Sequence, residues 1–302
     1  MRVRRGQVAA LALLARNDGG RGKRCAETSA LVYCSACVNP ASYVMKYLFG
    51  DTDIAARRLK VVAEVFAEPT RAFLLDAVSD RLRLVVDLGC GPGYTTHLLA
   101  EVLECDHVAG LDSSEHFVSL AQKTDKVSFH VHDITSVPFP VGPSDIMYCR
   151  FLLTHLRKPH EVVARWATQL RPRGLLLMQE TEWIETDNDV FATYLSIVEA
   201  VLADQSTDLY AGRVLDRMEE CGGLKKRVSR VRRFRVANRD AARMFFMNMQ
   251  SWKDSAYVRE NYPARMLEEL QENLQDLATV PDSVTEIEWG LREIVWERSG
   301  RR

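Results

Sequence analysis

The stretch Val85–Tyr94, with the sequence VVDLGCGPGY, decides how the rest of the chain is interpreted. Residues 82–88 are rich in Val and Leu, which predicts a buried parallel strand. Glycine then occupies every second position, so the backbone can turn sharply and a ligand can approach without meeting a Cβ atom. A helix is predicted over residues 95–102. A strand, a glycine loop and a helix in this order predict a ligand site at the carboxyl end of the strand.

Three details of this loop argue against a pyrophosphate, the ligand of glycine-rich loops in dinucleotide-binding folds. Asp87 precedes the first glycine, where a carboxylate repels phosphate but can receive an ammonium group. Pro92 lacks the backbone N–H that an anion-binding loop would use. Gly93 comes one residue too early for the Gly-x-Gly-x-x-Gly spacing. The loop therefore favours a ligand other than a phosphate.

Predicted strands and helices alternate outward from this loop. Further strands are expected over residues 107–111, 127–131, 145–149 and 175–179, with helices at 115–123 and 160–170. Strands and helices that alternate at this spacing predict a parallel sheet with right-handed crossovers, which is an α/β doubly wound fold.

The domain limits follow from the same pattern. The predicted core covers residues 80–182, the helical cover 43–79 and 186–280, and the last strand about 285–297. Residues 54–75 and 213–221 are predicted to be single helices, the second ended by Gly222 and Gly223. Residues 1–42 are expected to be a disordered or non-native extension, because a glycine-rich coil follows their short apolar run.

Acidic residues follow the second and third predicted strands. Asp112 ends the second strand, where a carboxylate can accept hydrogen bonds from both ribose hydroxyls. Asp133 and Ile134 follow the third strand, where a carboxylate can accept a hydrogen bond from an adenine amino group. The alternative role for each acid is a helix N-cap, and the sequence from Asp112 to Glu115 is typical of one. Acids at successive strand ends beside the glycine loop favour a nucleoside ligand.

Residues 84 to about 180 resemble class I methyltransferases, through Asp87–Gly93, Asp112, Asp133 and the run from Asp145 to Gly174. The resemblance implies a mostly parallel, seven-stranded, Rossmann-like sheet with a helical lid, and methyl transfer from S-adenosyl-L-methionine. The implied cofactor contacts are Tyr47, Arg58, Asp87, Gly89, Gly91, Gly93, Asp112, Ser113, Asp133, Ile134 and Arg150. The glycines would contact the methionine portion, Asp112 the ribose, and Asp133 with Ile134 the adenine. Tyr47, Arg58 and Arg150 would lie near the amino acid end. Arg173 replaces a glycine that is usual in the family, which affects a turn more than the cofactor site.

Two residues are candidates for proton transfer during methylation. His155 follows the fourth strand and is the first candidate for a general base, and Glu180 follows the fifth strand as the second. A base is needed only if the acceptor must lose a proton, and it contributes about 10²–10⁴-fold. The alternative for His155 is a residue that packs beneath the pocket.

The charge and the cysteine content of the sequence indicate which binding partners the protein does not require. The net charge of −1 in 302 residues does not demand nucleic acid or an anionic membrane. The arginine-rich segment 225–239 alternates with apolar residues, which predicts a strand near a sheet edge rather than an RNA surface. The odd number of cysteines predicts reduced thiols in a cytoplasmic protein, with no metal site.

The predicted acceptor is therefore a small molecule, methylated on O, N or C by a monomer or homodimer with no membrane span. One alternative is methylation of tRNA or protein. Another is a cofactor-binding regulator without catalytic activity.

Overall fold

The computed structural model describes residues 52–156, 158–280 and 286–300. Tyr47 and the predicted extension over residues 1–42 lie outside the described residues. Among the helices described, none is long and apolar enough to cross a membrane.

The first half of the described chain alternates helices and strands around the glycine loop. Its elements are α1 Asp53–Val65, α2 Ala67–Ala77, β1 Leu82–Leu88, α3 Tyr94–Val102, β2 Cys105–Asp112, α4 Glu115–Leu120, β3 Val127–Val131, β4 Ser144–Arg150, α5 Pro159–Ala167 and β5 Leu170–Glu185. A short 3-10 turn, Leu153–His155, lies between β4 and α5.

The second half contains most of the helical cover and three further strands. Its elements are α6 Asp189–Asp204, α7 Ala211–Asp216, β6 Glu220–Cys221, β7 Leu224–Ala237, α8 Asn238–Trp252, α9 Ala256–Asn261, α10 Ala264–Thr279 and β8 Glu286–Arg298.

The strands form one sheet in the order β3-β2-β1-β4-β5-β8-β7-β6. The first five strands, β1 to β5, pair with one another in parallel. Strand β8 runs antiparallel to both of its neighbours, β5 and β7. The predicted α/β doubly wound, mostly parallel fold is confirmed. The described residues hold eight strands rather than seven, because the two-residue strand β6 adds an edge beside β7.

Burial explains why the parallel strands are rich in Val and Leu. Val85 and Val86 point to opposite faces of the sheet, and both are fully buried. A strand that is covered on both faces has no solvent side, so apolar residues run through it without alternation. This buried strand positions the glycine loop at the carboxyl ends of the parallel strands.

The helical cover has a core of its own. Phe66 beside α1 packs in one apolar cluster with residues of α6, α8, α10 and β8. Within this cluster, Tyr194 stacks on Phe245 with ring centroids 4.2 Å apart. Helices from both ends of the described chain therefore cover the same side of the sheet.

Two predicted helices differ in the structure. The helix expected over residues 54–75 is broken at Phe66, because Pro69 has no N–H to donate to an upstream carbonyl and the chain restarts as α2. The helix expected to reach Cys221 ends at Asp216. Gly222 and Gly223 have φ values of +57° and +84° and form the hairpin turn from β6 to β7. Two consecutive positive φ values are typical of that turn.

Candidate active site

A cavity of about 520 Å³ opens at the carboxyl ends of the parallel strands. The strand ends and the glycine loop line one side, and residues of α1, α6, α8 and β8 line the other. Ten of the predicted site residues line it: Arg58, Asp87, Gly89, Gly91, Asp112, Ser113, Asp133, Ile134, Arg150 and His155.

The backbone N–H groups of the glycine loop already have acceptors within the protein. Gly89 and Cys90 donate to the Leu111 carbonyl at 2.8 and 3.1 Å, and Gly93 donates to the Cys90 carbonyl at 3.0 Å. Gly91 donates to Asp112 Oδ2 at 2.8 Å. Since Pro92 has no N–H, residues 89–93 hold no uncommitted donor for a phosphate. These internal hydrogen bonds support the prediction that the loop does not bind a pyrophosphate.

Two glycines of the loop cannot carry a side chain without displacing a neighbour. At Gly89, with φ +67°, a Cβ would lie 2.8 Å from Leu152 Cδ1. At Gly93, with φ +88°, it would lie 2.5 Å from the ring of Phe129. Left-handed φ values cost residues other than glycine about 1–2 kcal/mol. The loop is therefore held tightly between β3 and the segment after β4.

Asp87 places a buried carboxylate at the end of β1. Its side chain is 2% exposed and accepts a hydrogen bond from Thr96 Oγ1 at 2.7 Å. Burial raises the pKa of Asp87 to about 7, with a smaller contribution from Asp112 and an opposing one from Arg150. A cation beside this carboxylate would favour its ionised form.

Asp112 supports the loop and faces the cavity. Its Oδ2 accepts the Gly91 N–H, and its Oδ1 accepts the Ser114 N–H at 2.9 Å. The N-cap of α4 is Ser114, which accepts from Phe117 N at 3.1 Å, so capping is not the role of Asp112. A carboxylate oxygen has two lone pairs and can accept more than one hydrogen bond, so these two bonds are compatible with a ribose contact.

Asp133 and Ile134 line the cavity after β3, which is separated from β1 by β2. Asp133 Oδ1 accepts from the N–H and the hydroxyl of Thr135 at 2.9 and 2.7 Å, which fixes the turn after β3. Ile134 is 6% exposed and packs in the core below. An apolar surface beside a fixed carboxylate can accept an aromatic base with an amino group.

The two predicted arginines occupy different parts of the cavity. Arg150 donates to Thr70 Oγ1 at 2.8 Å and to Thr95 Oγ1 at 3.2 Å, and its charge acts on Asp87. Arg58 is buried in α1, and its positive charge acts on the pKa of His155 and of Tyr194. Arg150 thus lies on the strand side, whereas Arg58 lies toward the helical cover.

His155 is neutral in this environment. Burial, and to a smaller extent Arg58, lowers the pKa of His155 to about 3. Such an imidazole can accept a hydrogen bond but is a weak base near neutral pH. The predicted role of His155 as a general base stays a prediction.

Glu180 supports the backbone and does not line the cavity formed by the described residues. Its Oε1 accepts the N–H groups of Leu152 and Leu153 at 2.8 and 2.9 Å, and Thr154 donates to Oε2 at 3.4 Å. Burial raises the pKa of Glu180 to about 7. Its carboxylate therefore holds the turn after β4, and the predicted role in proton transfer is not supported by this placement.

Several lining residues were not predicted from the sequence. Phe151 has φ +54°, unusual for a bulky residue, in the turn that Glu180 holds. Its ring meets Phe66 edge-on with centroids 4.8 Å apart. The helical cover and its neighbours add Thr181, Leu202, Leu209, Met244, Asn248 and Trp289. No local motif marks these positions, because only the packing of distant helices brings them to the cavity.

The sheet order, the loop after β1 and the carboxylates at successive strand ends define the class I methyltransferase fold. A family model described as a methyltransferase domain matches residues 85–174. That region contains the glycine loop, Asp112, Asp133, Arg150 and His155. Residues 85–174 thus match a methyltransferase domain, and the sheet around them has the class I methyltransferase fold.

Curated relatives match part of this chain. An uncharacterized 37.1 kDa protein in transposon TN4556 of Streptomyces fradiae is 31% identical over 164 residues, which are 52% of this chain and 44% of that protein. The trans-aconitate 2-methyltransferase of Rhizobium leguminosarum bv. trifolii is 32% identical over 112 residues, 37% of this chain and 43% of that enzyme. The chain thus spans less than half the length of each of these relatives.

Solved structures share the fold at low identity. A protein of Anaeromyxobacter dehalogenans, assigned provisionally as a type II methyltransferase, has a TM-score of 0.52 at 18% identity and covers 75% of this chain and 94% of that one. Phosphoethanolamine N-methyltransferase 2 of Haemonchus contortus, in complex with S-adenosyl-L-methionine, has a TM-score of 0.50 at 14% identity and covers 87% and 61%.

Proposed function

We propose that this chain transfers the methyl group of S-adenosyl-L-methionine to an O, N or C atom of a small-molecule acceptor. The observation that carries the proposal is the loop over residues 89–93, whose N–H groups are all committed within the protein, beside the buried carboxylate of Asp87. This arrangement disfavours a pyrophosphate and favours a ligand with positive charge. S-adenosyl-L-methionine carries both an ammonium group and a sulfonium.

The residues present fit this cofactor. Asp87 would receive the ammonium group and Arg150 the carboxylate of the methionine portion, beside Gly89, Gly91 and Gly93. Asp112 and Ser113 would hold the ribose, and Asp133 with Ile134 would hold the adenine. When bound, the cofactor supplies an electrophilic methyl group on sulfur. The contribution of the protein is orientation, which can be worth about 7–11 kcal/mol in favourable cases.

The helical cover favours an apolar or aromatic acceptor. Phe245, Met244 and Trp289 line the cavity on the side of the helical cover, and Phe151 lines it just after β4. Apolar walls with a few polar groups are typical of small-molecule sites. The matched trans-aconitate 2-methyltransferases carry the name of a small acceptor, which supports a small-molecule substrate; that acceptor is a tricarboxylate and does not bear on the apolar character of the cavity.

Proton removal has a minor part in the proposed reaction. The low pKa of His155 makes it a weak base, and Glu180 is turned toward backbone N–H groups. Neither residue is therefore a strong candidate for accepting a proton from the nucleophile. The acceptor atom must attack the methyl carbon in line with its bond to sulfur, and this alignment depends on how the cavity holds the acceptor.

Two measurements test the proposal. Isothermal titration with S-adenosyl-L-methionine should give saturable binding, and Asp112→Ala should abolish it. Incubation with cofactor labelled in the methyl group and a cell extract should place the label in the small-molecule fraction. Label in tRNA or protein would contradict the acceptor class, and binding without turnover on any fraction would contradict catalysis.

A further inference from the structure

A network of buried hydrogen bonds runs from the cavity along one face of the sheet toward β7. Arg150 donates to Thr70 Oγ1 at 2.8 Å, and Thr70 donates to Gln179 Oε1 at 2.8 Å. Gln179 Nε2 then donates to Glu293 Oε1 at 3.2 Å. Thr70, Gln179 and Glu293 are each 0% exposed. The four residues belong to four different elements, namely β4, α2, β5 and β8.

Two arginines of β7 stabilise the far end of this network. Arg230 Nε lies 2.7 Å from Glu293 Oε2, and Arg232 Nε lies 2.6 Å from Glu293 Oε1. Asp76 of α2 accepts from both arginines. A carboxylate that is fully buried is tolerated only when it is paired and hydrogen-bonded, and here two guanidinium groups meet that need. The arginine-rich strand therefore has an internal role at these positions.

The donor and acceptor groups of these side chains allow one direction of donation through the hydrogen-bond network. The Glu293 carboxylate can only accept, so Gln179 must turn its NH₂ group toward Glu293 and its oxygen toward Thr70. Tyr148 donates to that same oxygen at 2.7 Å. Thr70 has a single proton and gives it to Gln179, which leaves its lone pairs facing Arg150. Glu293 thus fixes the orientation of the Gln179 amide, and Gln179 in turn fixes the Thr70 hydroxyl so that its oxygen accepts from Arg150.

We propose that Thr70, Gln179 and Glu293 are positioning residues that hold Arg150 in place for the carboxylate of the cofactor. The inference rests on the proposed function, because it assigns Arg150 to the amino acid end of S-adenosyl-L-methionine. Arg150 also contacts two aromatic rings: its guanidinium carbon lies 5.7 Å from the ring centroids of both Phe66 and Phe151. Loss of the bond to Thr70 would leave the longer bonds to Thr95 Oγ1 at 3.2 Å and to the Phe66 carbonyl at 3.4 Å, which hold the guanidinium less firmly beside Asp87.

The hydroxyl of Thr70 gives the sharpest test. Thr70→Val keeps the volume and removes the hydroxyl, whereas Thr70→Ser keeps the hydroxyl and serves as the matched control. We expect Thr70→Val to weaken binding of S-adenosyl-L-methionine about 5- to 10-fold in calorimetry, and Thr70→Ser to stay within about 2-fold of wild type. In turnover assays, Thr70→Val should raise the KM for the cofactor and leave kcat nearly unchanged. Thr70→Ala repeats the test if the valine does not fold.

A double-mutant cycle separates positioning from general loss of structure. If Thr70 acts through Arg150, then Thr70→Val should have no further effect on affinity in an Arg150→Met background. An undiminished effect in that background would overturn the proposal, as would unchanged affinity in Thr70→Val alone. Failure of the wild-type protein to bind S-adenosyl-L-methionine would instead refute the proposed function itself.

Discussion

Asp87→Asn removes the charge at the end of β1 while it preserves the shape of the side chain. Burial raises the pKa of Asp87 from 3.8 to about 7. A tenfold change in an ionisation constant corresponds to about 1.4 kcal/mol, so ionising this carboxyl in the folded protein costs up to about 4 kcal/mol. The unfolded chain loses this proton near pH 3.8, whereas the folded protein keeps it to about pH 7. Asp87 therefore lowers the free energy of unfolding as the pH rises through that interval.

The substitution should have opposite effects on stability and on binding. Near pH 8 we expect Asp87→Asn to raise the free energy of unfolding by about 1–3 kcal/mol, because the amide oxygen can still accept from Thr96 while its NH₂ group offsets part of the gain. Affinity for S-adenosyl-L-methionine should fall about 10- to 100-fold, since a charge-assisted contact is worth about 1.5–3 kcal/mol.

Urea unfolding near pH 5 and near pH 8, together with calorimetric titration of the cofactor, measures both effects. Asp106→Asn is a suitable control, because Asp106 is exposed and pairs with Arg81 at the start of β2. It should change neither the pH dependence nor cofactor affinity. Unchanged affinity in Asp87→Asn, or lower stability than wild type near pH 8, would refute the role of Asp87 as the site of a cation.

Substitutions at three other positions test the remaining assignments. Gly91→Val puts a branched side chain at φ +53°, where a Cβ would lie 3.1 Å from Leu59 Cδ1; calorimetry should show more than about 100-fold weaker cofactor binding with an unchanged circular dichroism spectrum. Asp112→Ala should lose binding to a similar extent, whereas Asp112→Asn should lose about tenfold, and equal affinities would argue against a ribose contact. Glu180→Gln removes a carboxyl whose folded pKa is about 7, so urea titrations should show a smaller fall in stability between about pH 4 and pH 7 than wild type shows. A pH dependence identical to that of wild type would count against this assignment.

The part of the site that lies on the parallel strands could be predicted from the sequence. β1, its loop and α3 are contiguous, and their residue types follow from burial and backbone conformation. Asp112 and Asp133 end neighbouring strands, and parallel pairing of β1, β2 and β3 brings those ends to one edge. The location of these residues around one cavity therefore needed no knowledge of distant packing.

The acceptor side could not be predicted in the same way. Phe245 and Trp289 are far apart in sequence and meet, with centroids 6.1 Å apart, only because β8 inserts beside β5 and α8 packs over it. The function of Glu180 was missed for a related reason. Its residue type suggests an acid or base, but its orientation depends on the backbone of the turn after β4. The monomeric or dimeric state and the cytoplasmic location stay predictions.

Crystals grown with S-adenosylhomocysteine and NAD⁺ together would test the central claim most directly. The account predicts S-adenosylhomocysteine in the cavity, with its ribose on Asp112 and its amino group on Asp87. A dinucleotide with its pyrophosphate along residues 89–93 would contradict it, because that loop would then be supplying N–H groups which the structure commits elsewhere.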